Sequence, residues 1–246
     1  MTNWVVRGLL RGRQNTVYPA RPETAEGVSP GRPVATPMPA EEARAAASAC
    51  PVGALAVSEH GLVVDHLRCV HCQRCLRGDV PAMWDGSYEW AAVAGGGAVA
   101  TMRPFKRSLH VRYLDSGACG ACMGEVGLLD SPRYNFHRLG VFFTPSPRKA
   151  DVLLVAGPVT ENMRAALVAA FEAMPEPRVV VAMGVCAVDG GIFGKTFAVC
   201  GGAEASVPVD VVIPGCPPPP LAVIHGLLVA TGRATPAPLA SEEETP

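Results

Sequence analysis

The residues with the most specific chemistry are four cysteines that stand among small neighbours. Cys119 and Cys122 lie three positions apart within Asp115–Glu125, and Cys186 and Cys216 follow far downstream. Each of the later two comes after a short apolar run and a glycine. Glycine and alanine neighbours let backbone N–H groups approach whatever the thiolates hold. Four thiolates of this kind can hold an iron–sulfur cluster or a zinc ion.

Four further cysteines, nearer the start of the chain, form a second candidate site. Cys50 is followed by Pro51, and Cys69, Cys72 and Cys75 form a C-x2-C-x2-C run. Bacterial ferredoxins carry the motif C-x2-C-x2-C-x3-C-P, whose last cysteine ligates the other cluster of a pair. The resemblance to this motif implies one cluster, held by Cys69, Cys72 and Cys75 with Cys50 as the distant fourth ligand.

The positions that the ferredoxin motif lacks here are also informative. A motif that ends on Cys50 has alanines at its first three positions, and a motif that starts at Cys69 has Asp79 at its fourth. All ligands of one cluster are thus absent, and all four of the other are present. The segment resembles a two-cluster bacterial ferredoxin that has kept one 4Fe–4S site. A zinc ribbon and a vestigial site that binds nothing are the alternatives.

Composition limits the class of protein. The chain has 246 residues, 49% hydrophobic and 17% charged, which is enough for one large domain or two modest ones. A net charge of -1 argues against a nucleic-acid partner. Nine cysteines, mostly in C-x-x-C spacings, indicate metal binding in a reducing compartment. No apolar stretch approaches ~20 residues, and Met1–Ala20 shows no secretory or twin-arginine signal. We predict a cytoplasmic protein that meets the membrane only through partners.

From Ser108 onward, strand and helix patterns alternate. The predicted strands are Ser108–Leu114, Asp151–Ala156, Val179–Met183 and Val209–Ile213, and the predicted helices start at Cys122, run from Thr160 (as N-cap) to Met174, and run from Leu221 to Thr231. This alternation predicts an α/β fold with a flavodoxin-like, doubly wound parallel sheet. Cys119, Cys186 and Cys216 each follow the carboxyl end of a predicted strand, where open α/β sheets bind ligands. No G-x-G-x-x-G follows the first strand, so neither a dinucleotide nor a flavin is indicated.

The predicted domain organisation has five parts. They are an extended N-terminal arm (1–38) with a short helix at Trp4–Leu10, a small ferredoxin-like α+β domain (39–90), a linker (91–107), the α/β domain (108–235) and a disordered tail (236–246). The ferredoxin resemblance implies a turn and strand over Cys50–Val57 and a returning strand over Leu62–Asp65. Trp84, Tyr88 and Trp90 are predicted to dock the connecting segment on a neighbouring surface.

Longer motifs of the α/β region resemble one known family. They are L-D-S-G-x-C-x-x-C-x-x-E from Leu114, F-T-P-S-P-R-x-A-D-V-L-L-V from Phe143, G-P-V-T-x-x-M from Gly157, M-P-x-P-R from Met174, G-x-C-A from Gly184, D-G-G from Asp189, V-P-V-D from Val207 and I-P-G-C-P-P from Ile213. With them, Phe105–Gly232 resembles the 20 kDa cluster-bearing subunit of respiratory complex I and its relatives, the small subunits of membrane-associated NiFe hydrogenases and formate hydrogenlyases.

The resemblance implies one 4Fe–4S cluster held by Cys119, Cys122, Cys186 and Cys216, beside a large partner subunit. The first pair of cysteines is adjacent in complex I, so the C-x-x-C spacing here resembles the hydrogenase branch. The N-terminal arm and half-ferredoxin resemble the polyferredoxin subunit of the same complexes, fused here to the small subunit.

Together these features predict an electron-transfer subunit of a multisubunit oxidoreductase with two 4Fe–4S clusters. The expected partners are a NiFe hydrogenase or formate hydrogenlyase large subunit and further ferredoxin-like or membrane subunits, at the inner face of the cell membrane. A complex I-like subunit that faces quinone is one alternative. A non-redox metal-binding assembly or regulatory module is the other.

Two residues near the cysteines allow two interpretations each. Glu125 matches a family glutamate that lies near the cluster, so it is either a partly desolvated proton relay or an acid at a helix N-terminus. His71 could tune the cluster by hydrogen bonding, but a solvent-facing loop residue is the favoured interpretation.

The remaining candidates are predicted to be structural. Cys200 has no spaced partner and is expected to be a buried apolar thiol. His137 and His225 have no second ligand nearby in the sequence. Pro217–Pro220 is expected to fix the loop that presents Cys216.

Overall fold

The computed structural model describes residues 4–12, 14–77, 81–96 and 108–238. The linker predicted at 91–107 therefore lies outside the described residues from 97 onward, and the tail predicted at 236–246 lies outside them from 239 onward. Asp79, the motif position without a cysteine, also lies outside them.

Within these residues the chain forms six α-helices and thirteen strands. The helices are α1 (Trp4–Arg11), α2 (Ala40–Ser48), α3 (Ala121–Leu128), α4 (Glu161–Glu172), α5 (Val185–Asp189) and α6 (Pro220–Ala230). The strands are β1 (Arg32–Pro33), β2 (Thr36–Pro37), β3 (Leu55–Ser58), β4 (Gly61–Val64), β5 (Trp84–Asp85), β6 (Ala92–Val93), β7 (Leu109–Asp115), β8 (Val141–Phe143), β9 (Val152–Ala156), β10 (Val159–Thr160), β11 (Val179–Met183), β12 (Val199–Gly201) and β13 (Val211–Ile213). In the described part of the chain, no helix combines the length and hydrophobicity needed to cross a bilayer.

A six-stranded, largely parallel sheet forms the centre of the fold. Its strand order is β6-β13-β11-β9-β7-β8. The last five strands of this order pair in parallel, and β6 pairs with β13 in antiparallel orientation. Numbered by position in the chain, the five parallel strands stand in the order 2-1-3-4-5. The predicted α/β class is therefore confirmed.

Both faces of this sheet are covered, which explains its apolar strands. Every residue of β9 and of β11 is buried. Alternate residues of β9 enter different cores: Leu154 packs with α6 on one face, and Leu153 packs with Leu167 of α4 on the other. A strand buried on both faces gains most from a continuous apolar run, and Val-Leu-Leu-Val-Ala is such a run.

The α4 helix matches its predicted position, but its N-terminus differs from the expectation. Thr160 is the N-cap residue, yet its side chain makes no capping hydrogen bond. Its hydroxyl donates instead to the carbonyl oxygen of Ser116, at 3.2 Å. The prediction of a side-chain cap at Thr160 was therefore wrong, because a contact with the loop after β7 takes up the hydroxyl.

The N-terminal part of the chain contains a second, smaller sheet. Strands β2, β4 and β3 pair in antiparallel orientation, and α2 packs on them. The small core between them consists of Ala43, Leu55, Leu62 and Ala82. Observed β3 and β4 agree with the strands expected within Cys50–Val57 and Leu62–Asp65. The ferredoxin-like assignment of this part remains a prediction.

The residues from Trp84 to Val93 connect the N-terminal sheet to the central sheet. Trp90 is 1% exposed and lies with Tyr18, Val28 and Tyr88 in the core that contains α6. The expected docking of Tyr88 and Trp90 is thus confirmed. Ala92 and Val93 were assigned to a linker but form the edge strand β6, because their backbone satisfies the otherwise unpaired edge of β13.

His225 fastens this connection to α6. The side chain is 1% exposed, and its Nδ1 accepts a hydrogen bond from the Ala91 amide at 3.2 Å. Nε2 is then the protonated nitrogen, and it donates to the Thr235 carbonyl oxygen at 3.0 Å. Burial lowers the pKa of His225 below its usual value of 6.5. The predicted structural role of this histidine is confirmed.

We expect His225 to make the fold less stable in acid. The unfolded chain takes up a proton near pH 6.5, whereas the folded chain resists it, so the free energy of unfolding falls as the pH drops through this value. His225→Gln keeps a donor and an acceptor but does not titrate. Chemical denaturation at about pH 7.5 and 5.5 should show a smaller loss in this variant than in the wild type. Exposed His60→Gln is the control, and equal losses in all three proteins would contradict the expectation.

Candidate functional site

The four downstream cysteines lie at one edge of the central sheet. Cys119 is in the loop after β7, and Cys122 is in the first turn of α3. Cys186 is in α5, directly after β11, and Cys216 is in the loop between β13 and α6. Because β7, β11 and β13 are parallel, these loops all leave the same edge of the sheet. The structure thus brings together residues that are far apart in sequence.

Three of the four thiols have a raised pKa, caused by burial and by the charges of neighbouring cysteines. Burial, together with negative charge on Cys186, Cys216 and Cys119, raises the pKa of Cys122 to about 12. Burial and the thiolates of Cys216 and Cys119 raise the pKa of Cys186 to about 11. The pKa of Cys216 is also raised, by burial and by Cys119. Four thiolates here would repel one another unless a cationic group lay between them.

Two glycines leave room for the sulfur atoms. A Cβ at Gly184 would lie 2.9 Å from the Sγ of Cys122, and a Cβ at Gly191 would lie 2.8 Å from the Sγ of Cys186. Both glycines also have positive φ, +82° and +58°. Any other residue at these positions would displace a thiol.

The Cys119 loop is held by its own polar residues. Ser116 is fully buried, and its hydroxyl lies 2.9 Å from the carbonyl oxygens of both Ala156 and Gly157. The Asp115 carboxylate accepts hydrogen bonds from the amides of Gly117 and Ala118, at 2.8 and 2.7 Å. The loop lies between β7 and β9, where the strand order of the sheet reverses.

The Cys216 loop is tied to the start of α5. The amide of Gly184 donates to the Ile213 carbonyl oxygen at 2.8 Å, and the amide of Val185 donates to that of Gly215 at 3.0 Å. Gly215 has a φ of +132°, and a Cβ there would lie 2.7 Å from the Cα of Pro218. Close packing against the proline segment therefore requires glycine, which supports the expected role of Pro217–Pro220.

The other four cysteines line a cavity in the N-terminal part. Its volume is about 340 Å³ including its open mouth, and Cys50, Cys69, Cys72 and Cys75 are among its lining residues. Burial, with a contribution from the other three thiolates, raises the pKa of Cys69 to about 11, and the His71 amide partly opposes this rise. The Ala54 amide donates to the Sγ of Cys50 at 3.3 Å.

No single-ion site is formed by the described side chains. Across residues 4–12, 14–77, 81–96 and 108–238, no group of three or more His, Cys, Asp or Glu residues could hold a metal ion as arranged.

Glu125 lies on α3, close to the downstream cysteines. Burial raises the pKa of its carboxyl, and its negative charge in turn raises the pKa of Cys122. It lines a cavity of about 910 Å³, open mouth included, together with Cys216 and Tyr134. Glu125 is the fifth residue of α3, and the first turn contains no acid. The interpretation as a helix N-terminal acid is therefore wrong, and a proton-relay role remains a prediction.

His71 is not the solvent-facing residue that the sequence favoured. Its ring packs edge-on against Trp84 and Trp90, with centroid distances of 6.4 and 5.1 Å. Burial, together with the positive charge of Arg32, lowers the pKa of His71 to about 4. The favoured interpretation was wrong because Trp84 and Trp90, which lie in the segment that connects the two parts of the chain, cover the ring.

Tyr113 was not singled out from the sequence. Its hydroxyl is buried without a hydrogen-bond partner among the described residues. Burial raises the pKa of Tyr113 to about 12, and Asp115 and Cys122 contribute. The sequence feature that could have identified Tyr113 is its position on β7, two residues before Asp115. Residues two apart in a strand lie on the same side of it.

The other predicted structural residues behave as expected. Cys200 is 9% exposed and lies in a hydrophobic core. His137 contacts the Val141 carbonyl oxygen at 2.9 Å and Asp130 at 2.8 Å.

An α/β protein with four clustered thiols at the carboxyl edge of its parallel strands is the class that this geometry defines. Residues 119–230 match the family described as NADH ubiquinone oxidoreductase, 20 Kd subunit. The chain belongs to this family. All four downstream cysteines lie within the match, whereas the residues before 119 fall outside it.

Three relatives illustrate the range of the family. The chain is 41% identical over 131 residues to formate hydrogenlyase subunit 7 of Escherichia coli (strain K12), which covers 53% of this chain and 51% of that protein. It is 40% identical over 124 residues to a "probable membrane-bound hydrogenase subunit" of Pyrococcus furiosus, covering 50% of this chain and 74% of the relative. It is 50% identical over 108 residues to an NADH-quinone oxidoreductase subunit of Rhizobium etli, covering 44% of this chain and 64% of the relative. The chain thus spans about half the length of the first of these relatives.

We expect Gly157 to be essential for the position of the Cys119 loop. It has a φ of +87°, and a Cβ there would overlap the Ala118 amide. Gly194 has a φ of +57° with open space around it, so Gly194→Ala tests backbone strain alone. In chemical denaturation, Gly194→Ala should cost about 1–2 kcal/mol and Gly157→Ala about 1–3 kcal/mol more. Equal losses in the two variants would mean that the loop can move away from Gly157.

Proposed function

We propose that the chain is an electron-transfer subunit of a multisubunit oxidoreductase and carries two 4Fe–4S clusters. Cys119, Cys122, Cys186 and Cys216 would hold one cluster. The observation that carries this proposal is the gathering of four thiols at the carboxyl edge of parallel strands, where burial and the neighbouring thiolates raise the pKa of Cys122, Cys186 and Cys216. Iron fits such a donor set, because metal ligation deprotonates thiols and offsets their mutual repulsion.

Cys50, Cys69, Cys72 and Cys75 would hold the other cluster. They surround one cavity, and backbone amides point at the sulfurs: Ala54 at Cys50, His71 at Cys69 and Leu76 at Cys75. Hydrogen bonds to the sulfurs are one determinant of cluster potential. Together with the ferredoxin-type spacing, this arrangement favours an occupied 4Fe–4S site in a ferredoxin-like fold.

When bound, the clusters would accept and release single electrons. The chain supplies backbone amide donors for three sulfurs of the N-terminal site and a partly desolvated surrounding for Cys122 and Cys186 of the downstream site. Glu125, whose pKa is raised by burial, is placed to hold a proton beside Cys122. Within the sheet with strand order 2-1-3-4-5, which is the flavodoxin-like order, the downstream site occupies the edge where such folds bind ligands.

The surface next to the downstream site suits a large partner subunit. Cys119 and Cys216 are exposed. Ile192 is 65% exposed and Phe193 49%, directly after Gly191, which touches Cys186. Exposed apolar side chains beside a redox site are typical of a protein interface. The relatives named as subunits of formate hydrogenlyase and of a membrane-bound hydrogenase agree with a partner of this kind.

A hydrogenase-like complex is the favoured setting, because the C-x-x-C spacing of Cys119 and Cys122 resembles the hydrogenase branch of the family. The chain would then lie peripherally at the membrane, held there by partners. The NADH-quinone oxidoreductase relative supports the alternative, a complex I-like subunit that faces quinone. A non-redox metal-binding module would have the same cysteines without redox turnover.

Metal analysis of single-cysteine variants tests the ligand assignment. Anaerobically purified chain should contain about eight irons and about eight sulfides, since each 4Fe–4S cluster takes four cysteines. Cys186→Ala and Cys72→Ala should each lose about half of both. Cys200→Ala, which changes the buried ninth cysteine, is the matched control and should lose neither. Zinc without sulfide would overturn the electron-transfer proposal, and about four irons unaffected by Cys72→Ala would leave the N-terminal site empty.

Affinity purification of the tagged chain from its own cells tests the setting. We expect a large subunit to copurify that carries four cysteines for a nickel site. A large subunit without them would favour the quinone alternative. Substituting Ile192 and Phe193 with serine should lower the recovered partner at least severalfold, because the apolar contact is lost, while the iron content of the chain stays unchanged.

A further inference from the structure

His71 lies in the walls of two cavities, each of which borders cysteine side chains. The cavity of about 340 Å³ around Cys50, Cys69, Cys72 and Cys75 has His71 in its wall. So does the cavity of about 910 Å³ that contains Cys216 and Glu125. Among the described residues, His71 is the one that lines both cavities. The cavity of the four upstream cysteines and a cavity that borders Cys216, one of the four downstream cysteines, therefore meet at a single imidazole.

The fold fixes this ring in place. His71 has a φ of +52°, a left-handed conformation that histidine and asparagine tolerate better than most residues. Trp84 and Trp90 both pack against the ring edge-on. Both tryptophans are held by hydrogen bonds. The indole N–H of Trp84 donates to the Pro30 carbonyl oxygen at 2.8 Å, and that of Trp90 donates to the Ser87 hydroxyl oxygen at 3.3 Å.

Within the described part of the chain, one nitrogen of the His71 ring lacks a hydrogen-bond partner. Among the described residues, no atom accepts from or donates to the Nδ1 of His71, although this nitrogen is buried. A buried polar atom without a partner requires an explanation, such as a group that binds there. A sulfur atom held by the neighbouring cysteines is an acceptor that an Nδ1–H would suit.

We infer that His71 is a positioning residue that couples the two cysteine sites, so that it sets the properties of both iron–sulfur groups. This inference rests on the proposed function, because it presupposes that both sites are loaded. This role depends on Trp90, which contacts the His71 ring and is also buried in the core that contains α6. His71 would then be more than a spacer between Cys69 and Cys72.

The test compares His71→Asn with His60→Asn by redox titration monitored by electron paramagnetic resonance. Asparagine tolerates the left-handed backbone but lacks the imidazole. His60 lies exposed in the turn after β3, in the same part of the chain. We expect His71→Asn to shift the midpoint potentials of both clusters and His60→Asn to shift neither. A shift confined to the cluster of Cys50, Cys69, Cys72 and Cys75, or no shift at all, would overturn the inference.

A measurement on the unaltered chain covers the case in which His71→Asn loses a cluster. If His71 couples the two sites, the clusters lie close on either side of it, and the fully reduced wild type should show split resonance signals from spin–spin interaction. Unsplit signals from two reduced clusters would overturn the inference and leave the electron-transfer proposal standing. Iron and sulfide for fewer than two clusters in the wild type would instead refute the proposed function, and the inference with it.

Discussion

The gathering of four cysteine thiols at one edge of the sheet is the constraint on which the α/β part of the structure depends. Four sulfurs share a small, partly desolvated volume, and the pKa of Cys122 rises to about 12 as a result. Thiols with pKa values this far above neutral stay protonated, so charge repulsion arises only when they are deprotonated to bind a cationic group, and the fold must hold the four side chains together in both states. The buried parallel strands do so, because their carboxyl ends are fixed relative to one another by the sheet hydrogen bonds. Glycine at positions 184 and 191 then leaves room for sulfur instead of carbon.

The sequence predicted the parts of the fold that depend on local pattern. Strand β11 has the predicted bounds, Val179–Met183, and α6 begins one residue before its predicted start at Leu221. Both are apolar runs ended by glycine or flanked by proline, so composition alone defines them. The gathering of Cys119, Cys186 and Cys216 was also predictable, because it follows from the parallel strands and does not depend on contacts between distant side chains.

Features that depend on contacts between distant residues were not predictable in this way. The Thr160 hydroxyl bonds to Ser116 instead of capping α4, and the pairing of Ala92–Val93 requires the exposed edge of β13. His71 is covered only because Trp84 and Trp90 return to it along the chain. Each of these outcomes is decided by a tertiary partner that no local window contains, so local propensity gave the wrong interpretation or none.

The connection between the two parts has a consequence for electron transfer. A flexible tether would let the cysteine sites vary in separation, but here Trp90 is buried in the core beneath α6 and β6 extends the central sheet. His225 adds a hydrogen bond to the Ala91 amide between them. The segment that contains Trp84 and Trp90 thus packs into the core of the α/β domain through Trp90. Both tryptophans also contact the His71 ring, which lies beside Cys72 in the sequence. In the proposed electron-transfer function, a buried connection would keep the separation of the two cysteine sites constant, which a flexible tether would not.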